Sequence, residues 1–122
     1  MKRLALTVAA AALLSACAVA PVERITVDDS YRLVLSRTRV IQPGQAPAGT
    51  QEIQPVTAIS CQHLTTDPTA TEQDAVQQLQ IKADRLGGNA VILGSCSGPP
   101  VSDLARDCWT RITCTGTAAR IQ

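Results

Sequence analysis

One α+β domain, in which a long amphipathic helix covers one face of a small sheet, is the fold class that residues 24 to 122 predict. Three observations point to it. A helical stripe runs between capping signals and a Gly-Gly pair over residues 69 to 88, and short β-patterned runs stand on both sides of it. Four of the five cysteines lie in the body of a chain that opens with an export signal, and an even count in that setting predicts cross-links. At 122 residues, with 2% aromatic content and no Phe, the chain has the length for one domain and only a modest core, a shortage that cross-links fit.

The N-terminus reads as a secretory signal. Lys2 and Arg3 precede an apolar run from Leu4 to Leu14 that is too short for the roughly 20 residues a bilayer span takes. Leu14-Ser15-Ala16-Cys17 resembles the lipobox of bacterial lipoproteins, in which the Cys thiol receives a diacylglyceryl group and becomes the first mature residue. Residues 1–16 are then the signal peptide, 17–23 the lipidated Cys17 with a short tether, and 24–122 the globular domain. The lipobox resemblance implies more than one acyl chain on Cys17, enough for stable anchoring. In lipoproteins of this type an Asp after the Cys retains the protein at the inner membrane. Ala18 stands there instead, so the expected location is the outer membrane, with the domain in the periplasm.

Within the domain, Arg24-Ile25-Thr26-Val27 alternates and predicts a first strand, ended by Asp28-Asp29-Ser30. An Asp or Ser30 suits the cap of a short helix over Tyr31 to Leu35, although Tyr31, Leu33 and Leu35 also alternate as a strand does. Gln42 to Gly49, with Pro43, Gly44, Pro47 and Gly49, is a loop. Ile53 to Ile59 is β-rich around Pro55, which fits an edge or a bulge because proline cannot donate to a ladder. Thr69 with Glu72, and Thr71 with Asp74, form overlapping capping boxes. Val76, Leu79, Ala83 and Leu86 then make the apolar stripe, with Glu72, Asp74, Lys82, Asp84 and Arg85 on the polar side. Gly87-Gly88 ends the helix, since glycine alone takes the left-handed C′ conformation without strain. Asn89 to Leu93 is a continuous apolar strand, Gly98-Pro99-Pro100 opens a loop, and Trp109 to Thr117 alternates as a last strand with Thr110, Ile112 and Cys114 on one face.

Composition excludes a nucleic-acid binder. The 11 basic residues are nearly balanced by 10 acidic ones, and one Tyr and one Trp make no stacking platform. Cys61, Cys96, Cys108 and Cys114 lack the spacing of two to four residues typical of zinc ligands, so disulfides are expected and a metal is not. If residues 108 to 114 form one extended strand, its ends lie roughly 20 Å apart, beyond the about 7 Å limit for a disulfide. Two connectivities remain, Cys61–Cys108 with Cys96–Cys114, or Cys61–Cys114 with Cys96–Cys108. A simple hairpin between the last two strands favours the second. His63, the only histidine, has no nucleophile or orienting partner marked in the sequence, and no catalytic motif is present. The expectation is a protein that is not an enzyme and holds no cofactor.

Ser60-Cys61-Gln62, Leu79-Gln80-Ile81-Lys82-Ala83, Gly88-Asn89-Ala90-Val91-Ile92-Leu93, Ser95-Cys96, and Cys108-Trp109 through Cys114-Thr115-Gly116 together resemble the RcsF family. These are outer-membrane lipoproteins that sense envelope stress for the Rcs phosphorelay. The resemblance runs from about Arg24 to the C-terminus, with four Cys in the same order. It implies a four-stranded sheet, a long helix and two non-consecutive disulfides, Cys61–Cys108 and Cys96–Cys114, which displaces the hairpin expectation. It also implies action by protein contact. The partners would be an inner-membrane regulator of the phosphorelay, outer-membrane barrels and the β-barrel assembly machinery. The chain departs from the family at one place. Stress-sensing members have a long Pro-rich segment after the lipidated Cys, whereas Ala18 to Glu23 reaches only about 20 Å fully extended. That length favours the alternative of a structural or assembly-accessory lipoprotein of the same fold. Candidate partner contacts are Arg32, Arg37 and Arg39, whose plainer role is a solvated edge that discourages aggregation, and Trp109, whose plainer role is packing on the neighbouring disulfide.

Overall fold

In a computed structural model of the chain, residues 22–98 and 108–122 are described; Cys17, the signal segment and Pro99-Pro100 lie outside them. The fold is α+β. A 3-10 turn, Asp29–Tyr31, leads into helix α1, Arg32–Arg37, followed by β1, Arg39–Ile41, and β2, Gln51–Gln62. Helix α2, Glu72–Arg85, then precedes β3, Ala90–Ser97, and β4, Thr110–Arg120. The four strands form one mixed sheet in the order β1-β3-β4-β2, with β1 parallel to β3 and the other pairings antiparallel.

Helix α2 follows its local chemistry closely. The Thr71 side chain accepts from the Asp74 amide at 3.0 Å, the N-cap half of the second capping box expected; the Thr71 amide donates to Ser60 Oγ instead of to Asp74. Glu72 and Asp74 stand in the first turn and Lys82 and Arg85 in the last, the charge order that the helix dipole favours. At the other end Gly87 has φ +85°, its amide bonds the Asp84 carbonyl and the Gly88 amide bonds the Ala83 carbonyl. That pair of bonds is a Schellman motif.

The helix lies on the sheet through a small core of Val56, Ala58, Ala75, Leu79, Ala83, Val91, Cys114 and Ala118, with Val76 half-buried at its edge. Leu86, the last member of the expected stripe, is a correction: it is 36% exposed, because it sits at the cap where the chain leaves the sheet. In its place two glutamines go inside. The Gln78 amide donates to the Ile59 carbonyl at 3.0 Å and the Gln80 amide to the Thr38 carbonyl at 2.6 Å, so both are buried with partners.

Gly116 faces Leu79 from the middle of β4. A Cβ there would meet the Ile92 carbonyl oxygen at 2.7 Å and Val91 Cγ2 at 3.1 Å. We expect Gly116→Ala to destabilise the domain by about 1–3 kcal/mol, read from the urea midpoint, since the obstructing atom is backbone of the neighbouring strand.

One strand is revised. Arg24–Val27 is not a strand; the Ile25 amide donates to Gln78 Oε1 at 3.1 Å rather than to a ladder. The fourth strand is Arg39–Ile41, beside β3. The short helix expected over Tyr31 to Leu35 is present as the 3-10 turn and α1, and Asp28 caps it by accepting from the Ser30 amide at 2.9 Å. Bonds from the Ser30 hydroxyl and amide hold the Asp28 carboxyl below its ordinary range. The expectations for β2 hold. It is an edge strand, and its register with β4 shifts between Glu52 and Gln54, next to Pro55.

Both disulfides are present as Cys61–Cys108 and Cys96–Cys114, with Cα separations of 5.3 and 4.1 Å. The simple hairpin with Cys96 beside Cys108 is corrected. Antiparallel register puts Cys96 opposite Cys114, after a shift between Leu93 and Cys96, so the connection from β3 to β4 is longer than a tight turn. Cys108 comes before β4 and is left to meet Cys61 near the end of β2.

Candidate functional site

The end of the sheet where β2 finishes and β4 begins gathers most of the unusual chemistry. Gln62 and Thr110 are register partners there, and the Trp109 amide donates to the Gln62 carbonyl at 2.7 Å. Beside this pair the disulfide joins Cys61, the register partner of Arg111, to Cys108, which precedes β4. Arg24 approaches it from the N-terminal segment, Nη1 lying 3.0 Å from Cys61 Sγ and 3.5 Å from Cys108 Sγ.

Beside the bridge is a cleft of about 380 Å³. Arg24 to Val27 form one wall, Ile59 to Cys61 of β2 another, and Thr71, Asp74 and Gln78 of α2 a third. The connecting loop that carries His63, Asp67 and Pro68 completes it. Hydrogen bonds hold that loop in shape. Asp67 Oδ2 accepts from the Leu64 amide at 3.0 Å, Gln62 Nε2 donates to the Asp67 carbonyl at 3.0 Å, and Thr71 N donates to Ser60 Oγ at 3.1 Å. Thr110 Oγ1 joins loop and sheet by accepting from the Ala70 amide at 2.8 Å and donating to Gln62 Oε1 at 3.0 Å.

Trp109 is 68% exposed at this end, and Leu64 is 60% exposed. The expectation that Trp109 packs away against the bridge is therefore corrected, because its backbone is tied to Gln62 while the indole points outward. A large exposed aromatic is available as an anchor for a partner. His63 is exposed on the loop.

The arginines do not form one patch with it. Arg39 begins β1 at the opposite end of the sheet, in register with Ala90, which in turn faces Ala119. Arg37 is held by Asp84, with Nε 3.0 Å from Oδ1 and Nη2 3.1 Å from Oδ2, and that carboxylate raises the guanidinium's affinity for its proton. Arg32 makes a loose contact with Asp29 at 3.4 Å, both side chains largely in water, where such a pair contributes little. Arg39 alone lies on an edge strand, as the protective reading requires.

Sequence reasoning assigned Glu23 to the tether and Arg24 to a strand, and missed what they do. Glu23 Oε1 pairs with Arg85 Nη1 at 3.1 Å, and Ile25 is buried at 7% exposure. The one local signal was a glutamine at position 78, directly before the buried Leu79. Lys82, on the same helix, donates to the Thr57 carbonyl at 2.6 Å; burial lowers its affinity for the proton, while Glu23 acts in the opposite sense.

The four described cysteines are all in disulfides, and among the described residues no group of three His, Cys, Asp or Glu could hold a metal ion. Among the same residues no helix is long and apolar enough to cross a membrane. No protein-family model matches the chain, and no curated protein matches it.

Proposed function

We propose that the chain is an outer-membrane lipoprotein of the RcsF type, anchored through Cys17, which binds other envelope proteins and activates a phosphorelay through its inner-membrane regulator. The observation that carries this reading is the disulfide pairing. Cys61–Cys108 with Cys96–Cys114 is the pairing that the resemblance implied and that a simple hairpin disfavoured. The exposed Trp109 beside the first bridge supports action by contact. The lipobox and Ala18 support an outer-membrane anchor.

Intact mass of the membrane-extracted protein is expected to show a chain starting at Cys17 plus acyl groups, and Cys17→Ala is expected to block processing. A soluble mature protein with a free Cys17 thiol would contradict the anchor. For the partner, a photocrosslinker at position 109 in living cells should capture the phosphorelay regulator.

A second reading, a structural or assembly-accessory lipoprotein, is favoured by the short tether. Ala18 to Glu23 extends at most about 20 Å. On that reading the crosslinks from Trp109, Arg32 or Arg37 fall on outer-membrane barrels or their assembly machinery, and deletion leaves the phosphorelay unchanged.

A further inference from the structure

We propose that Glu23 to Val27 is a releasable strap, docked beside α2 and β2 as one wall of the cleft, whose release lengthens the tether and opens the cleft. The membrane part of this proposal rests on Cys17 being the anchor. Unlike contacts dock the strap. Glu23 is paired with Arg85 at 3.1 Å, with side chains 68% and 46% exposed. Arg24 reaches the Cys61–Cys108 bridge. Ile25 is the buried member, and its amide donates to Gln78 Oε1 at 3.1 Å.

These contacts are weaker than those of the sheet. The strap has no ladder pairing, its ion pair sits in water, and its one buried apolar side chain lies outside the core cluster under α2. Segments held this way open locally without global unfolding. The sheet edge behind it does not depend on the strap, because the Gln78 and Lys82 side chains already bond the Ile59 and Thr57 carbonyls. Release can therefore leave the domain folded.

The consequence for reach follows from chain length. With the strap docked, the anchor is tied to the domain at Glu23. With it released, the first fixed point becomes the Asp28 cap, and five further residues add up to about 17 Å. A domain held against the leaflet then nearly doubles the distance it can search. Release also removes the cleft wall to which Ile25 belongs.

Amide exchange on the full-length, membrane-extracted protein tests the strap. The Ile25 amide should exchange at least ~100-fold faster than the core amide of Val91, yet at least ~10-fold slower than in a free chain. Ile25→Ser should speed exchange at position 25 by ~10- to 100-fold, with Val91 unchanged, because burying one isoleucine accounts for the docking. Glu23→Ala should speed it only ~2- to 5-fold. Exchange at Ile25 that keeps pace with Val91 would overturn the proposal, since the strap would then open only on unfolding. Exchange at the free-chain rate would overturn it as well, since nothing would be docked.

Reach is read in vesicles. Trp109 is the only tryptophan, so its energy transfer to dansyl-labelled lipid reports the height of the domain. Ile25→Ser should reduce that transfer; unchanged transfer alongside faster exchange would overturn the claim about reach. Failure of both proteins to float with the vesicles would refute the anchor instead, and the exchange rates would then decide the strap alone.

Discussion

Alanine at both Cys96 and Cys114 is expected to leave the domain largely unfolded at 37 °C. The bridge closes a sequence separation of 18 residues, for which loop entropy in the unfolded chain corresponds to about 3 kcal/mol. Cys114 is also fully buried in the core cluster, so its loss opens space beside Leu79 and Val91 and adds roughly 1 kcal/mol. The sum is about 4 kcal/mol against a total that is on the order of 5–15 kcal/mol for typical domains and falls low in that range for a small core. Cys61–Cys108, with a separation of 47, corresponds to about 4 kcal/mol by the same relation. That bridge lies at the end of the sheet, where Gln62, Thr110 and Trp109 keep other bonds, so its loss should loosen the cleft before the core. Urea unfolding and amide spectra of the two double variants check this. An unchanged urea midpoint for Cys96→Ala with Cys114→Ala would contradict it.

Leu79→Ala is expected to cost about 3–5 kcal/mol. Leu79 is fully buried in the centre of the face that α2 lays on the sheet, and its Cδ1 would lie 3.5 Å from a Cβ at position 116. The space it fills is one that Gly116, Ala58 and Ala118 are too small to close, so the cavity persists after truncation. Leu33→Ala serves as the control. Leu33 is 75% exposed on α1 and should change the urea midpoint by no more than about 0.5 kcal/mol equivalent. A Leu79 effect as small as that of Leu33 would mean that α2 does not organise the core.

Helix α2 could be read because its determinants are local. Thr71, Asp74 and the Gly87-Gly88 pair act within a few residues of where they stand. The edge character of β2 was legible for the same reason, since Pro55 carries its own restriction. Partnership was not legible. Arg24–Val27 alternates as well as any strand, yet a glutamine from α2 takes its amide. Arg39–Ile41 has three residues and no pattern of its own, and it becomes a strand because β3 lies parallel to it. The residues alone left two disulfide connectivities open, because the choice depends on the register of β3 against β4. At the candidate site, Trp109 and the cysteines were identified, while Glu23, Ile25 and Gln78 were not. Their roles exist only once the N-terminal segment is folded back on α2.

A phosphorelay reporter, in cells lacking their own RcsF-family lipoprotein, tests the proposed signalling role most directly. The wild-type chain is expected to raise the reporter in part, Cys17→Ala to leave it at baseline, and a Pro-rich insertion after Pro21 to raise it further, because a longer tether widens the volume the domain can search. A wild-type chain that leaves the reporter at the level of the empty strain, or one that restores full output and gains nothing from the insertion, would contradict it.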